Sequence, residues 1–174
     1  FQHSFTYSTY NYLYRDDLAD SAIYRNWYDT AVKVGKDSFY VKEKWSVMSN
    51  DIALLQFPDT KNSGQFIAAG VRFENIKGES ITGTRNLYNF IVHGEYRNKT
   101  RNKLWDVLAR GEFYVNGLNA GDYSAYATIA RRIRNKLGDI RLFFKNVNRT
   151  ASLIFDTASG FNFSNPGRTK KENI

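Results

Sequence analysis

The stretch GDYSAYATIARRIRNKLG, residues 121–138, decides how the rest of the chain is read. Tyr126, Ile129, Ala130, Ile133 and Leu137 follow an i, i+3, i+4, i+7, i+11 series, which places them on one face of a helix. Asp122 suits the N-cap, where a carboxylate accepts from the free amides of the first turn. Arg131, Arg132, Arg134 and Lys136 come late, where cations complement the negative end of the helix dipole. Gly138 is the expected stop. Beyond it the period changes to two. Residues 140–145 and 151–155 read as two strands of a hairpin around the polar turn 146–150.

Working back from that helix, the preceding segments read mainly as sheet that it would cover. Residues 39–48, 51–57 and 65–76 are strand candidates, and Gly70 marks an expected bulge in the third. Residues 87–96 are the clearest strand. Tyr88, Phe90, Val92 and Tyr96 lie on one side, with Leu87, Ile91 and His93 on the other, so it is expected to be central and covered on both faces. Residues 100–109 read as a short helix and 111–115 as a strand. Asp16-Asp17 opens a helical stretch to about Val34. The fold class expected is α+β, a mostly antiparallel sheet covered by two main helices, with a C-terminal helix plus β-hairpin.

No linker divides the chain, and 174 residues suffice for one core. Residues 1–165 are read as a single domain and 166–174 as a flexible basic tail. Within the domain, residues 1–14 alternate with Phe5, Tyr7, Tyr10, Tyr12 and Tyr14. They are read as an interface, either a docking arm or an edge strand. The longest apolar run, near residues 66–71, is too short for a membrane-spanning helix, and no membrane partner is expected.

The chain has no Cys, which excludes disulfides and cysteine chemistry. With His3 and His93 as its imidazoles, no catalytic residue, metal site or cofactor is assigned. His93 is read as a satisfied structural histidine, and Glu95, Asp106 and Glu112 as solvated or ion-paired carboxylates. The net charge of +8 is concentrated: residues 97–149 hold twelve Lys or Arg against four Asp or Glu. Arg97, Lys99, Arg101 and Lys103, with Arg131, Arg132, Arg134 and Lys136, form two candidate polyanion-binding clusters.

These features point to a non-enzymatic structural or assembly protein that forms a homo-oligomer and also joins other assembly proteins. The order of elements is similar to that of small tailed-phage ring proteins, such as tail terminators and neck proteins. The resemblance rests on element order alone, and it implies a virion ring subunit whose basic segment faces DNA. The alternative is a nucleic-acid-binding module using residues 97–149, with or without nuclease activity.

Overall fold

The computed structural model describes residues 1–18, 39–80, 83–133, 138–151 and 172–173. They form one antiparallel meander: β1 (Gln2–Asp16), β2 (Phe39–Gln56), β3 (Gln65–Ser80), β4 (Gly83–Lys99), β5 (Trp105–Gly117), β6 (Tyr123–Arg132), β7 (Asp139–Arg149) and the two-residue β8 (Glu172–Asn173). The seven long strands curl into a half-barrel, and the described residues contain no helix.

The expected α+β class is therefore corrected to all-β. Of the stretch that looked helical, residues 123–132 are strand β6, paired with β5 from Trp105↔Arg131 to Phe113↔Tyr123 and with β7 from Tyr123↔Asn148 to Arg132↔Asp139, and residues 134–137 lie outside the described residues. Alanine, tyrosine and isoleucine satisfy a period of two as readily as one of 3.6, and helix propensity is a weak prior against two continuous ladders. Asp122 is no helix cap. It is 4% exposed and accepts from the Thr150 amide at 2.7 Å and the Thr150 hydroxyl at 2.9 Å, tying the β5–β6 turn to the end of β7. Gly138 has φ 83 in the β6–β7 connection, so its left-handed backbone serves a turn between strands.

The short helix expected over 100–109 is a turn followed by β5 at Trp105; Thr100 receives the Lys103 amide and Asn102 Oδ1 the Leu104 amide. The bulge falls not at Gly70 but between Phe90 and Ile91, against β5. A Cβ on Gly70 would stand 2.7 Å from the His93 ring, so this glycine makes room for an imidazole. The hairpin expected over 140–155 keeps its first strand as β7, which pairs with β6 and β8; its second strand, the helix expected after Asp17 and the basic tail fall largely outside the described residues.

Residues 2–16 are an edge strand, paired along their whole length with β2. Strands β2, β4 and β6 finish at one end of the sheet, and β1, β3 and β5 at the other.

Candidate functional site

Because side chains alternate along a strand and paired residues share a side, the register assigns every strand position to one of two faces. One face takes the even positions of β1, β3, β5 and β6 and the odd positions of β2, β4 and β7; it carries the buried Phe39, Val41, Trp45, Asn89 and Ile91 and is the concave side of the half-barrel. The convex face takes the rest, with the β5 phase changing at the bulge.

The concave face is polar and cross-linked. Arg72 Nε donates to Asp51 at 2.9 Å, and its Nη1 lies 3.5 Å from Glu112. His93 Nε2 sits 3.1 Å from Asp51 Oδ1, and the Ser124 hydroxyl donates to Glu112 at 3.2 Å. Residues from β2 to β6 thus form one network. It borders a recess of about 390 Å³ lined by Arg72, His93, Glu95, Arg110, Glu112 and Ser124. Burial alone would lower the Arg72 pKa, but the hydrogen bond and charge of Asp51, with Glu112 and Glu74, raise it above the ordinary arginine value. Tyr114, on the same face, is pushed up to about 12 by burial, assisted by the charges of Glu74 and Glu112. Asn89, 2% exposed, donates to Glu74 and to Asn119, each at 3.0 Å.

Towards the start of β2 the concave face becomes apolar, with Phe39, Val41, Trp45 and Ile76 buried. Glu43 lies among them, fully buried, and accepts from the Trp45 indole at 3.1 Å.

The convex face has the opposite chemistry. On β3 it presents Ile67, Ala69, Val71 and Phe73; on β4 Tyr88, Phe90, Val92, Gly94 and Tyr96; on β5 Trp105, Val107, Ala109, Gly111 and Phe113; on β7 Ile140, Leu142 and Phe144. Many of these are exposed, Leu142 at 69% and Phe144 at 57%. The expectation that β4 is covered on both faces is corrected, since Tyr88, Phe90 and Val92 are exposed while Ile91 is buried. Among the described residues, the convex Asp, Glu, Lys and Arg of the strands sit near strand ends: Arg15, Lys42, Lys44, Lys77, Glu79 and Arg131.

The apolar band also drifts. Followed along the register to β4, the row of Phe5 reaches Phe90, whereas the row of Leu142 reaches Asn98. With strands about 4.8 Å apart rising about 3.4 Å per residue, eight residues of drift between β1 and β7 correspond to strands tilted by about 40–45° to the band. Aromatic residues stand at the band's edges. Tyr88 and Tyr96 bracket β4, and Trp105 carries the Arg131 guanidinium 4.9 Å from its ring centre.

The basic clusters meet at the end of the sheet where β4 and β6 finish. Arg132 N donates to the Leu104 carbonyl at 2.8 Å, and Lys99, Lys103, Arg132 and Arg141 border one recess. Several already have carboxylate partners: Arg97 with Asp106 at 3.6 Å, Arg132 with Asp139 at 3.5 Å, and Arg101 with Asp59. The Lys61 amide and then Arg101 hold the Asp59 carboxyl below its ordinary value. Arg134 and Lys136 lie outside the described residues. Of the aromatic residues read as an interface, Phe5 and Tyr7 fall on the convex face and Tyr10, Tyr12 and Tyr14 on the concave one.

Among the described residues no group of three or more His, Asp or Glu side chains is placed to hold a metal. Nor is any described helix long and apolar enough to cross a membrane, a criterion that does not bear on strands. The signal that sequence reasoning passed over is the placing of charge: the Asp, Glu, Lys and Arg of the strands fall mostly on the concave rows, and those of the convex rows sit near strand ends. Protein-family models, curated proteins and solved structures give no match to this chain.

Proposed function

We propose that the chain forms part of the wall of a transmembrane β-barrel of the outer-membrane type, with its convex face against lipid acyl chains and its concave face along a polar lumen. In this reading it is a membrane pore component and not an enzyme. One observation carries the proposal: the convex face has an uncharged apolar band between its charged ends, while the concave face behind that band holds Asp51, Arg72, His93, Arg110 and Glu112. A water-soluble sheet has the reverse arrangement, and exposed apolar patches of this extent on soluble monomers mark contact surfaces. Lipid is the occupant that fits. The stretch from Tyr88 to Tyr96 has about the 9–11 residues a tilted strand needs to span the hydrocarbon, aromatic residues flank it, and the drift matches the 35–45° tilt of membrane barrels. Further strands pairing with β1 and β7 would close the barrel.

A water-soluble assembly subunit, the expectation from composition, would have to cover the same band with other protein chains. Binding of nucleic acid would draw on cations that in Arg97, Arg101 and Arg132 already face carboxylates. Both readings are weaker supports for an uncharged, tilted band.

The absence of native cysteine makes a direct test available. Single cysteines at Val92, Ala109 and Phe144 on the convex face, and at Glu95, Thr128 and Lys145 on the concave face, are labelled with nitroxide in the membrane-reconstituted protein. The convex set is expected to be accessible to oxygen and shielded from a water-soluble nickel chelate, with the concave set reversed. A protein that stays in aqueous solution as a discrete oligomer, or equal chelate access to both sets, refutes the proposal.

A further inference from the structure

Resting on the barrel reading above, we infer that the concave surface of β4 to β7 is an attracting wall for small anionic solutes, of the phosphate or carboxylate class. The charges already neutralised decide the sign of this surface. On this face Asp106 faces Arg97, Asp139 faces Arg132, and Glu112 and Asp51 share Arg72, with Asp51 also against His93. Lys99, Arg110, Arg141, Lys145 and Arg149 are exposed, and none of them has an ion pair among the described residues. Glu95 is the acid of these strands left without an ion pair among the described residues. Among the described residues of β4 to β7, the unpaired charge on the concave side is therefore net positive.

Position strengthens the inference. The register puts Glu95, Arg110, Tyr126 and Lys145 in a single row across four strands. The Arg110 guanidinium lies 4.9 Å from the Tyr126 ring centre, a cation–π contact that leaves it without a carboxylate partner among the described residues. Another row carries Lys99, Asp106, Ala130 and Arg141 nearer the end of the sheet. Anions moving along the wall would pass from the Lys99–Arg141 row to the Arg110–Lys145 row. A guanidinium offers paired donors to an oxyanion, and cations lining a concave, low-dielectric surface raise the local anion concentration.

The test is ion selectivity of the full-chain protein in planar bilayers, read as the zero-current potential across a potassium chloride gradient. Chloride is expected to be favoured over potassium. R110E combined with K145E is expected to lower that preference by a factor of about 3 or more, as field focusing in a charged cleft predicts. R110Q with K145Q gives a smaller change of the same sign without opposing charge beside Glu95. K77Q, on the convex face with Glu79 as partner, leaves selectivity unchanged. Conducting channels whose selectivity is the same in all variants overturn this inference and leave the barrel standing. A protein that never enters the bilayer overturns both.

Discussion

The Arg72 guanidinium and the Asp51 carboxylate meet at 2.9 Å on the concave face, while their sequence neighbours Val71 and Ile52 stand 41% and 44% exposed on the convex one. The contrast is charge held inward and apolar surface turned outward. Arg72→Met would leave Asp51 and Glu112 without their shared cation in a partly shielded site. A loss of about 1–3 kcal/mol is expected, since an unpaired polar group bears its desolvation cost. Urea unfolding of Arg72→Met, Asp51→Asn and the double variant would check this. A double variant no worse than Arg72→Met alone shows that the two act as one unit.

The convex band sets a rule for substitutions. Val92→Arg puts a charge at the middle of the band between Tyr88 and Tyr96. If lipid covers that surface, the change costs about 2–4 kcal/mol of folding in vesicles. Ala68→Arg, on the concave face in register with Glu95, is expected to be tolerated. Folded yield in lipid vesicles, scored by the heat-modifiable shift in gel migration, separates the two. Equal yields would remove the distinction between the faces.

Gly78 lies beneath the Trp45 indole, and a Cβ there would collide with the six-membered ring. Gly78→Ala should therefore destabilise the sheet by about 1–3 kcal/mol through overpacking. The nearest atoms a Cβ would meet all belong to Trp45. In the background Trp45→Leu the same substitution should lose most of its effect. A cost that persists without the indole would place the strain in the backbone instead.

Tyr114 yields a pH prediction. Its pKa is raised from 10.0 to about 12 in the folded protein, chiefly by burial. The folded state therefore holds the phenolic proton more tightly than the unfolded chain does. Its contribution is fully present below about pH 10 and is lost as pH rises towards 12. Thermal unfolding midpoints are expected to fall more steeply over that window in the parent protein than in Tyr114→Phe. Parallel curves would show that this hydroxyl is not the group responsible.

The sequence by itself determined a good deal. Period-two alternation located β3 and β4 within a few residues, because Val, Ile, Tyr and Phe in alternation have few other solutions, but it split the single strand β2 into 39–48 and 51–57. It anticipated His93 as a hydrogen-bonded side chain, and the ring does sit against Asp51. It also located the basic excess in residues 97–149. What only the tertiary structure decided is the identity of β6 and the direction each face points. Residues 123–132 satisfy both periods locally, and the ladders that settle the matter come from residues 105–113 and 139–148. Which row becomes convex follows from the register and curl of the whole sheet, a property held by no single strand. An apolar row reads as core when water is taken as the solvent, so the alternation in β4 suggested burial where the curvature instead placed Tyr88 and Phe90 outside.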